Sequence, residues 1–272
     1  MTDPVWVWGV PLSTLTLPGA VERVEGLIED GRPSYFITAN AHYAMVSERL
    51  AELRSFNEGA AFILADGAPL VWASRFGPEP LPERVAGSDL IFELARVGAA
   101  KGFRFFFLGG APGVGEEAGR RLEALYPGFR LVGLESPPYR DVVDPDEEAA
   151  LVERIHLARP DILFVAYGQP KGELFLARNL ERLRVPVCAQ IGASLDFAAG
   201  RVRRAPVWMR RIGMEWAFRL AIEPRRLFSR YAANFWFILR MVARDLWRWA
   251  RGQGPPAESR RPVGVEPQEA SA

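Results

Sequence analysis

Seven short apolar runs recur along this chain, and helical patterns lie between several of them. The runs read "VWVWGV", "SYFITAN", "AAFILADG", "FRFFFLGG", "FRLVGL", "DILFVAYG" and "VPVCAQIGA". The helical stretches include "HYAMVSERLAELRSF" and "VGEEAGRRLEALY". "DPDEEAALVERIHLA" opens on a capping pattern, with Asp144 as N-cap, Pro145 in the first turn and Glu147 three residues on. Near-continuous apolar strands that alternate with helices must be buried on both faces, which a parallel sheet between two helical layers achieves. The fold class expected is therefore α/β: a Rossmann-like, mostly parallel sheet with helices on both faces. A chain of 272 residues, 49% hydrophobic and 25% charged, can build one such domain and an appendage.

In open parallel sheets, ligands bind outside the carboxyl ends of the strands. Here those ends read Thr38-Ala39-Asn40, Asp66-Gly67, Gly109-Gly110, Gly168-Gln169 and Gly192-Ala193-Ser194. Small and polar residues thus collect where a site belongs. Asp66-Gly67 on its own is ordinary turn chemistry, because Asp bonds its own backbone and Gly accepts positive φ. Its place among the other strand ends argues for a functional carboxylate instead.

Charge divides the chain in three. Residues 1–200, the expected core, carry 19 Lys and Arg against 27 Asp and Glu, a net of −8. Residues 201–251 carry 13 Arg against Glu215, Glu223 and Asp245, a net of +10. Residues 252–272 are rich in Pro, Gly and polar residues and read as a disordered tail. The basic segment is helical in pattern. On a projection of "RYAANFWFILRMVARDLWRWAR", Arg230, Arg240, Arg244, Arg248 and Arg251 share one face. Tyr231, Phe235, Ile238, Leu239, Val242, Leu246 and Trp249 share the opposite one, with Trp236 and Trp247 at a boundary. Such a helix lies in a membrane interface, although packing on its own domain gives a similar pattern. It cannot span, since Arg240 and Arg244 interrupt it. The partner expected is an anionic membrane surface. No nucleic-acid module is present, and the oligomeric state, a homo-oligomer included, stays open.

Other motifs carry less. "FLGGAPGVGEEAGRRL" is a strand, a glycine-rich turn and a helix start, a place where backbone N–H groups can hold phosphate. Its glycines do not give the dinucleotide spacing, and no Lys-Ser/Thr follows, so a simple tight turn is an equal reading. Asp144-Pro145-Asp146 resembles a metal-binding D-x-D but is better explained as a cap, and no cluster has metal spacing. His42 and His156 sit on helices and suit surface or packing roles. The single Cys188 reads as a buried hydrophobe and fits a reducing compartment. The N-terminus lacks the basic and apolar regions of a signal peptide.

From about Val7 to Arg230 the chain resembles the WecG/TagA/CpsF family of bacterial glycosyltransferases. The stretches that carry the resemblance are "TANAH", "ADGAPLVWASR", "ERVAGSDL", "FLGGAPGVGEEA", "PPY", "PDILFVAYGQPKGE" and "DFAAGRVRRAPVWMRRIGMEWAFRLAIEPRRLFSRY", in the same order. The resemblance implies transfer of a sugar, typically N-acetylmannosamine or a derivative, from a UDP-sugar to a polyprenyl-diphosphate-linked N-acetylglucosamine. It implies an inverting reaction with no metal and no cofactor, on the cytoplasmic face of the membrane. Carried over residue by residue, Asp66 is the general base, with Thr38 beside it in the catalytic group. Asn40, Arg84, Gly109, Gly110, Gln169, Arg219, Arg225 and Arg226 are expected to bind substrate. An inverting transfer needs a base for the acceptor hydroxyl, and without a metal the leaving charge falls to arginines and backbone N–H groups. One departure stands out: the family reads "G-x-P-K-Q-E" where this chain has "GQPKGE", so Gly172 replaces a substrate-contacting Gln. That bears on donor identity, and Gln169 is placed to supply an amide from another direction.

Two rival functions make different demands. A nucleotide-cofactor oxidoreductase on the same sheet calls for a dinucleotide fingerprint, which is missing. A non-catalytic membrane adaptor would not need the polar strand ends, yet Thr38, Asn40 and Asp66 are all present.

Overall fold

The computed structural model describes residues 3–77, 79–137, 144–211 and 213–252, with the side chains of Arg211 and Arg226 outside the description. The tail beyond Gly252 and the end of the "PPY" stretch lie outside the described residues. The chain opens with β1 (Val5–Val7), β2 (Val10–Leu12), α1 (Leu17–Asp30), β3 (Ser34–Ala39), α2 (Ala41–Arg49), α3 (Ala51–Gly59), β4 (Phe62–Ala65) and α4 (Ala68–Ser74). It continues through α5 (Gly87–Lys101), β5 (Arg104–Gly109), α6 (Val114–Leu125), β6 (Arg130–Glu135), α7 (Pro145–Ala158), β7 (Ile162–Ala166), α8 (Lys171–Leu183), β8 (Val187–Gln190) and α9 (Ser194–Ala198). Three further helices close it: α10 (Val207–Arg211), α11 (Glu215–Ile222) and α12 (Pro224–Ala250).

Six strands form one parallel sheet in the order β4-β3-β8-β7-β5-β6. Period-2 alternation sorts its side chains into two cores. In β5, Phe105 and Phe107 face one core while Phe106 and Leu108 face the other. In β7, Ile162 and Phe164 oppose Leu163 and Val165 in the same way. Helices α1, α5, α6 and α9 cover the first face; α2, α3, α7 and α8 cover the second. The chain lays down β3 and β4, crosses to β5 and β6, then returns through β7 and β8 to the middle. That reversal opens a crevice at the carboxyl ends of β3, β8 and β7.

The first apolar run does not join this sheet. β1 and β2 form their own antiparallel hairpin, because Trp8 and Gly9 take φ values of 50° and 83°. A two-residue turn with both φ positive matches the twist of paired strands. The Asp144 cap is as expected: its carboxylate accepts the N–H groups of Asp146 at 2.9 Å and Glu147 at 3.4 Å.

Helix α12 packs on the domain with one face and leaves another exposed, and its projection onto one apolar and one basic face needs correcting. Phe237 and Met241, absent from the projected apolar face, are the residues that enter the core beside the hairpin. Trp8 meets Phe237 edge-on at 5.7 Å and donates its indole N–H to Asp245 at 2.9 Å. Arg240 pairs with Glu48 of α2. Of the projected face, Ile238 and Val242 pack against this core, while Phe235, Leu239, Leu246 and Trp249 remain exposed. Trp236 and Trp247 are exposed as well. Packing on the domain and an outward apolar stripe therefore coexist on one helix. Among the described residues no helix is long and apolar enough to cross a membrane.

Candidate active site

A cavity of about 1100 Å³ opens above the carboxyl ends of the sheet strands. Its floor comes from the sheet and its far wall from α11 and α12. Asp66 follows directly on β4. Its N–H donates to Ala39 O at 2.8 Å, which ties it to the end of β3. Val85 N–H donates to Ala65 O at 3.0 Å and so brings the loop bearing Arg84 over the same strand end. The glycine that follows is not a turn residue, contrary to the plain reading of Asp-Gly. Gly67 has φ −115°, and a Cβ there would stand 3.3 Å from Asn40 Cα. It is glycine because the start of α4 passes close to the start of α2.

Gly87 works similarly at the start of α5. A Cβ on it would lie 3.0 Å from Ser194 Oγ and 3.4 Å from Thr38 Cγ2. This close approach leaves the Gly87 N–H facing the Asp66 carboxylate. Asp66 keeps some exposure to the cavity, yet the surrounding atoms make desolvation the dominant influence. Burial pushes its carboxyl up to about 7; Arg84 opposes the shift, Glu215 adds to it, the Gly87 N–H opposes it and Asp89 adds to it. A carboxylate that titrates near neutrality in a cavity is poised to accept a proton.

Around it the expected residues divide. Thr38, Asn40, Arg84, Gly110, Gln169 and Arg219 line the cavity. The Thr38 hydroxyl donates to Gln190 O at 3.3 Å. Asn40 also caps α2, its side-chain oxygen accepting the Tyr43 N–H at 3.1 Å. Arg84 Nη1 lies 3.2 Å from Glu215 Oε2, and Nη2 lies 3.8 Å from Asp89. Asp89 is shared with Arg204 at 2.6 Å and Arg210 at 3.6 Å. Arg219 stacks over Phe197 at 5.3 Å, and its Nε–H is buried with no hydrogen-bond partner among the described residues.

Two expected residues stand elsewhere. Gly109 is not on the cavity wall; with φ 91° and Tyr167 2.9 Å from a notional Cβ, it serves close strand packing. Arg225 is exposed at the start of α12 and does not line the cavity. The Arg226 side chain lies outside the described residues.

Position 172 receives a structural reason. A Cβ there would collide with the side chain of Gln190, which lines the cavity and donates to Tyr167 O. An amide from β8 thus occupies ground that a residue-172 side chain would need. Glu173 is fully buried, its carboxyl oxygens without a hydrogen-bond partner among the described residues. Burial pushes it up to about 7 against the weaker opposing pull of its own backbone N–H and of the nearby Gln169 amide.

Several cavity residues escaped the sequence, Gln190 among them. Arg230 lines the cavity from α12, although it projects among the outward arginines. His42, assigned to packing, meets Asn234 at 3.2 Å on the cavity wall; burial and then Arg230 lower its pKa, against that hydrogen bond. Glu215 is buried against Arg84 from the first turn of α11. A signal for it existed: an acid inside a segment otherwise dense in arginine.

The family model described as "Glycosyl transferase WecG/TagA/CpsF family" matches residues 5–251. An N-acetylglucosaminyldiphosphoundecaprenol N-acetyl-beta-D-mannosaminyltransferase of Bacillus spizizenii is 30% identical over 199 residues, covering 73% of this chain and 75% of the relative. The protein of the same name from Staphylococcus aureus strain MRSA252 is 29% identical over 231 residues, covering 83% of this chain and 87% of the relative. With a match of this extent over a parallel sheet whose strand ends form one cavity, the chain belongs to the WecG/TagA/CpsF family of glycosyl transferases.

Proposed function

We propose that this glycosyltransferase moves N-acetylmannosamine, or a close derivative, from a UDP-sugar to a polyprenyl-diphosphate-linked N-acetylglucosamine, with inversion and without a metal. The observation that carries the reading is Asp66: a carboxylate raised to about 7 on the floor of a large cavity whose far wall bears arginines. The names of the relatives support the acceptor and the transferred sugar. In the step proposed, the ionised Asp66 takes the proton of the acceptor hydroxyl as its oxygen attacks the anomeric carbon. The glycosidic bond forms while the bond from that carbon to the diphosphate oxygen breaks, and its electron pair leaves on UDP. Arg84, Arg219 and Arg230 face the growing diphosphate charge, a role that charge-assisted hydrogen bonds fill well. Gln190 and Gln169 supply the amides near the donor sugar that Gly172 cannot.

The enzyme is proposed to work as a peripheral protein on the inner face of the cell membrane, and the outward stripe of α12 supports contact with a membrane surface. Aromatic and aliphatic side chains would enter the acyl boundary while arginines meet lipid phosphates. The mouth of the cavity would then open to a lipid-borne acceptor. No cofactor is called for. The test is a screen of UDP-sugars against a synthetic lipid-diphosphate acceptor, reading released UDP and the mass of the product, with and without excess EDTA. Transfer of N-acetylmannosamine in both conditions is expected. Abolition by chelator with rescue by Mn²⁺ or Mg²⁺ would overturn metal independence, and another preferred sugar would overturn the donor.

A further inference from the structure

Glu215 is an odd residue to bury. Only 9% of it is exposed; one carboxyl oxygen meets Arg84 at 3.2 Å and the other is buried with no partner among the described residues. If the task were only to dock α11 on the core, an amide would do it without the cost of a half-satisfied buried charge. The charge stands at the edge of the cavity that holds Asp66, and it reaches there from the appendage, not from the sheet. We propose that Glu215 is a positioning residue for the transfer: clasped to Arg84 in the cavity that holds Asp66, this carboxylate of the appendage governs how strongly Arg84 engages the base.

The mechanism has two parts of the same sign. Glu215 places a negative charge near Asp66, which disfavours a second ionised carboxylate. It also engages the guanidinium that otherwise draws Asp66 toward ionisation. The other groups facing Asp66 are the Gly87 N–H and Asp89, both of α5. Arg219 of α11, Arg230 of α12 and His42 of α2 line the cavity beyond them. Asp89 of α5 meets Arg84 at 3.8 Å and is shared with Arg204 and Arg210, whereas Glu215 meets Arg84 at 3.2 Å from α11. A base held near neutrality retains its pull on the acceptor proton while remaining ionised for much of the time.

The inference rests on Asp66 being the base, and the experiment separates the two. Rates are measured against pH in the full chain with a water-soluble acceptor, for wild type, Glu215→Gln, Glu215→Asp and Asp66→Asn. Wild-type kcat/KM should rise through a limb near pH 7. In Glu215→Gln that limb should move down by about one pH unit, and the plateau should fall about threefold as the base weakens. Glu215→Asp, which withdraws the charge by one methylene, should move it the same way by less. Thermal unfolding checks that each variant is folded, and if Glu215→Gln is not, Glu215→Asp decides alone. A limb abolished in Asp66→Asn but unmoved in the folded Glu215 variants would show a merely structural residue and overturn this inference. A limb that survives Asp66→Asn would overturn the base assignment, and the inference with it.

Discussion

The cavity has two walls built on opposite principles. On the sheet side, groups are held by the backbone: Asp66 hangs between the Ala39 carbonyl and the Gly87 N–H, and Thr38 sits on the Gln190 carbonyl. The strands beneath are buried on both faces, and Phe164 is 1% exposed. On the appendage side, α12 is seated by side chains: Trp8 to Asp245, His42 to Asn234, Arg240 to Glu48, and Phe237 in the core. Its outer surface leaves Trp236 68% and Trp249 70% exposed. The rigid wall suits chemistry that needs a fixed base. The side-chain-seated wall suits charge neutralisation and contact with a surface. Separate substitutions can test that division.

The largest effect should come from the rigid wall. Asp66→Asn should keep the chain folded, with a melting temperature above pH 7 no lower than wild type because the ionised carboxylate is disfavoured there. It should lower UDP release by about two to four decades. A rate close to wild type would remove the sheet edge from the chemistry. Next comes the appendage wall. Arg219→Ala should lower kcat/KM about ten- to a hundredfold even on a water-soluble acceptor, since it withdraws a charge-assisted contact. An undiminished rate would take Arg219 out of the chemistry.

The outer surface should matter only at a membrane. A double variant, Trp236→Ser with Trp249→Ser, touches no core contact and should keep its rate on a soluble acceptor. Its binding to vesicles rich in phosphatidylglycerol should weaken on the order of tenfold, measured by co-sedimentation. Equal binding would mean that the stripe meets something other than lipid.

The smallest effect is one of stability and belongs to the sheet side. Glu173 has its folded pKa raised, so the stability it contributes is present below the carboxylate's ordinary range and lost as pH rises through about 7. Glu173→Gln removes that loss. Melting temperature should therefore be a few degrees above wild type at pH 8 and little different at pH 5. A pH-independent difference would place the effect in packing.

Much of this was legible in the residues. All six strands of the sheet follow from apolar runs, and five of them from small polar ends as well; only the edge strand β6, half-buried along its length, lacks that ending. Asp66, Thr38, Asn40, Gly110 and Gln169 could be assembled from the residues, since a parallel sheet gathers its strand ends, whereas Arg84, on the loop before α5, came only from the family resemblance. The hairpin at Trp8-Gly9 was not legible as such: a six-residue apolar run reads as one strand unless the positive φ of Trp8 is known. Gly67 misled in its reason, because glycine marks both a turn and a close approach, and only the distance to Asn40 separates them.

What the sequence determined by itself was the layering, the strand ends and the basic character of residues 201–251, all consequences of local pattern and period. What tertiary structure alone decided was which face of α12 turns inward, why residue 172 has no side chain, and that Glu215 meets Arg84 across 131 residues of chain. A helix with two apolar faces has no preferred inward side until its partner is present. A carboxylate has no defined basicity until the charges and desolvation around it are placed, and those are properties of the folded cavity and of no single stretch of the chain.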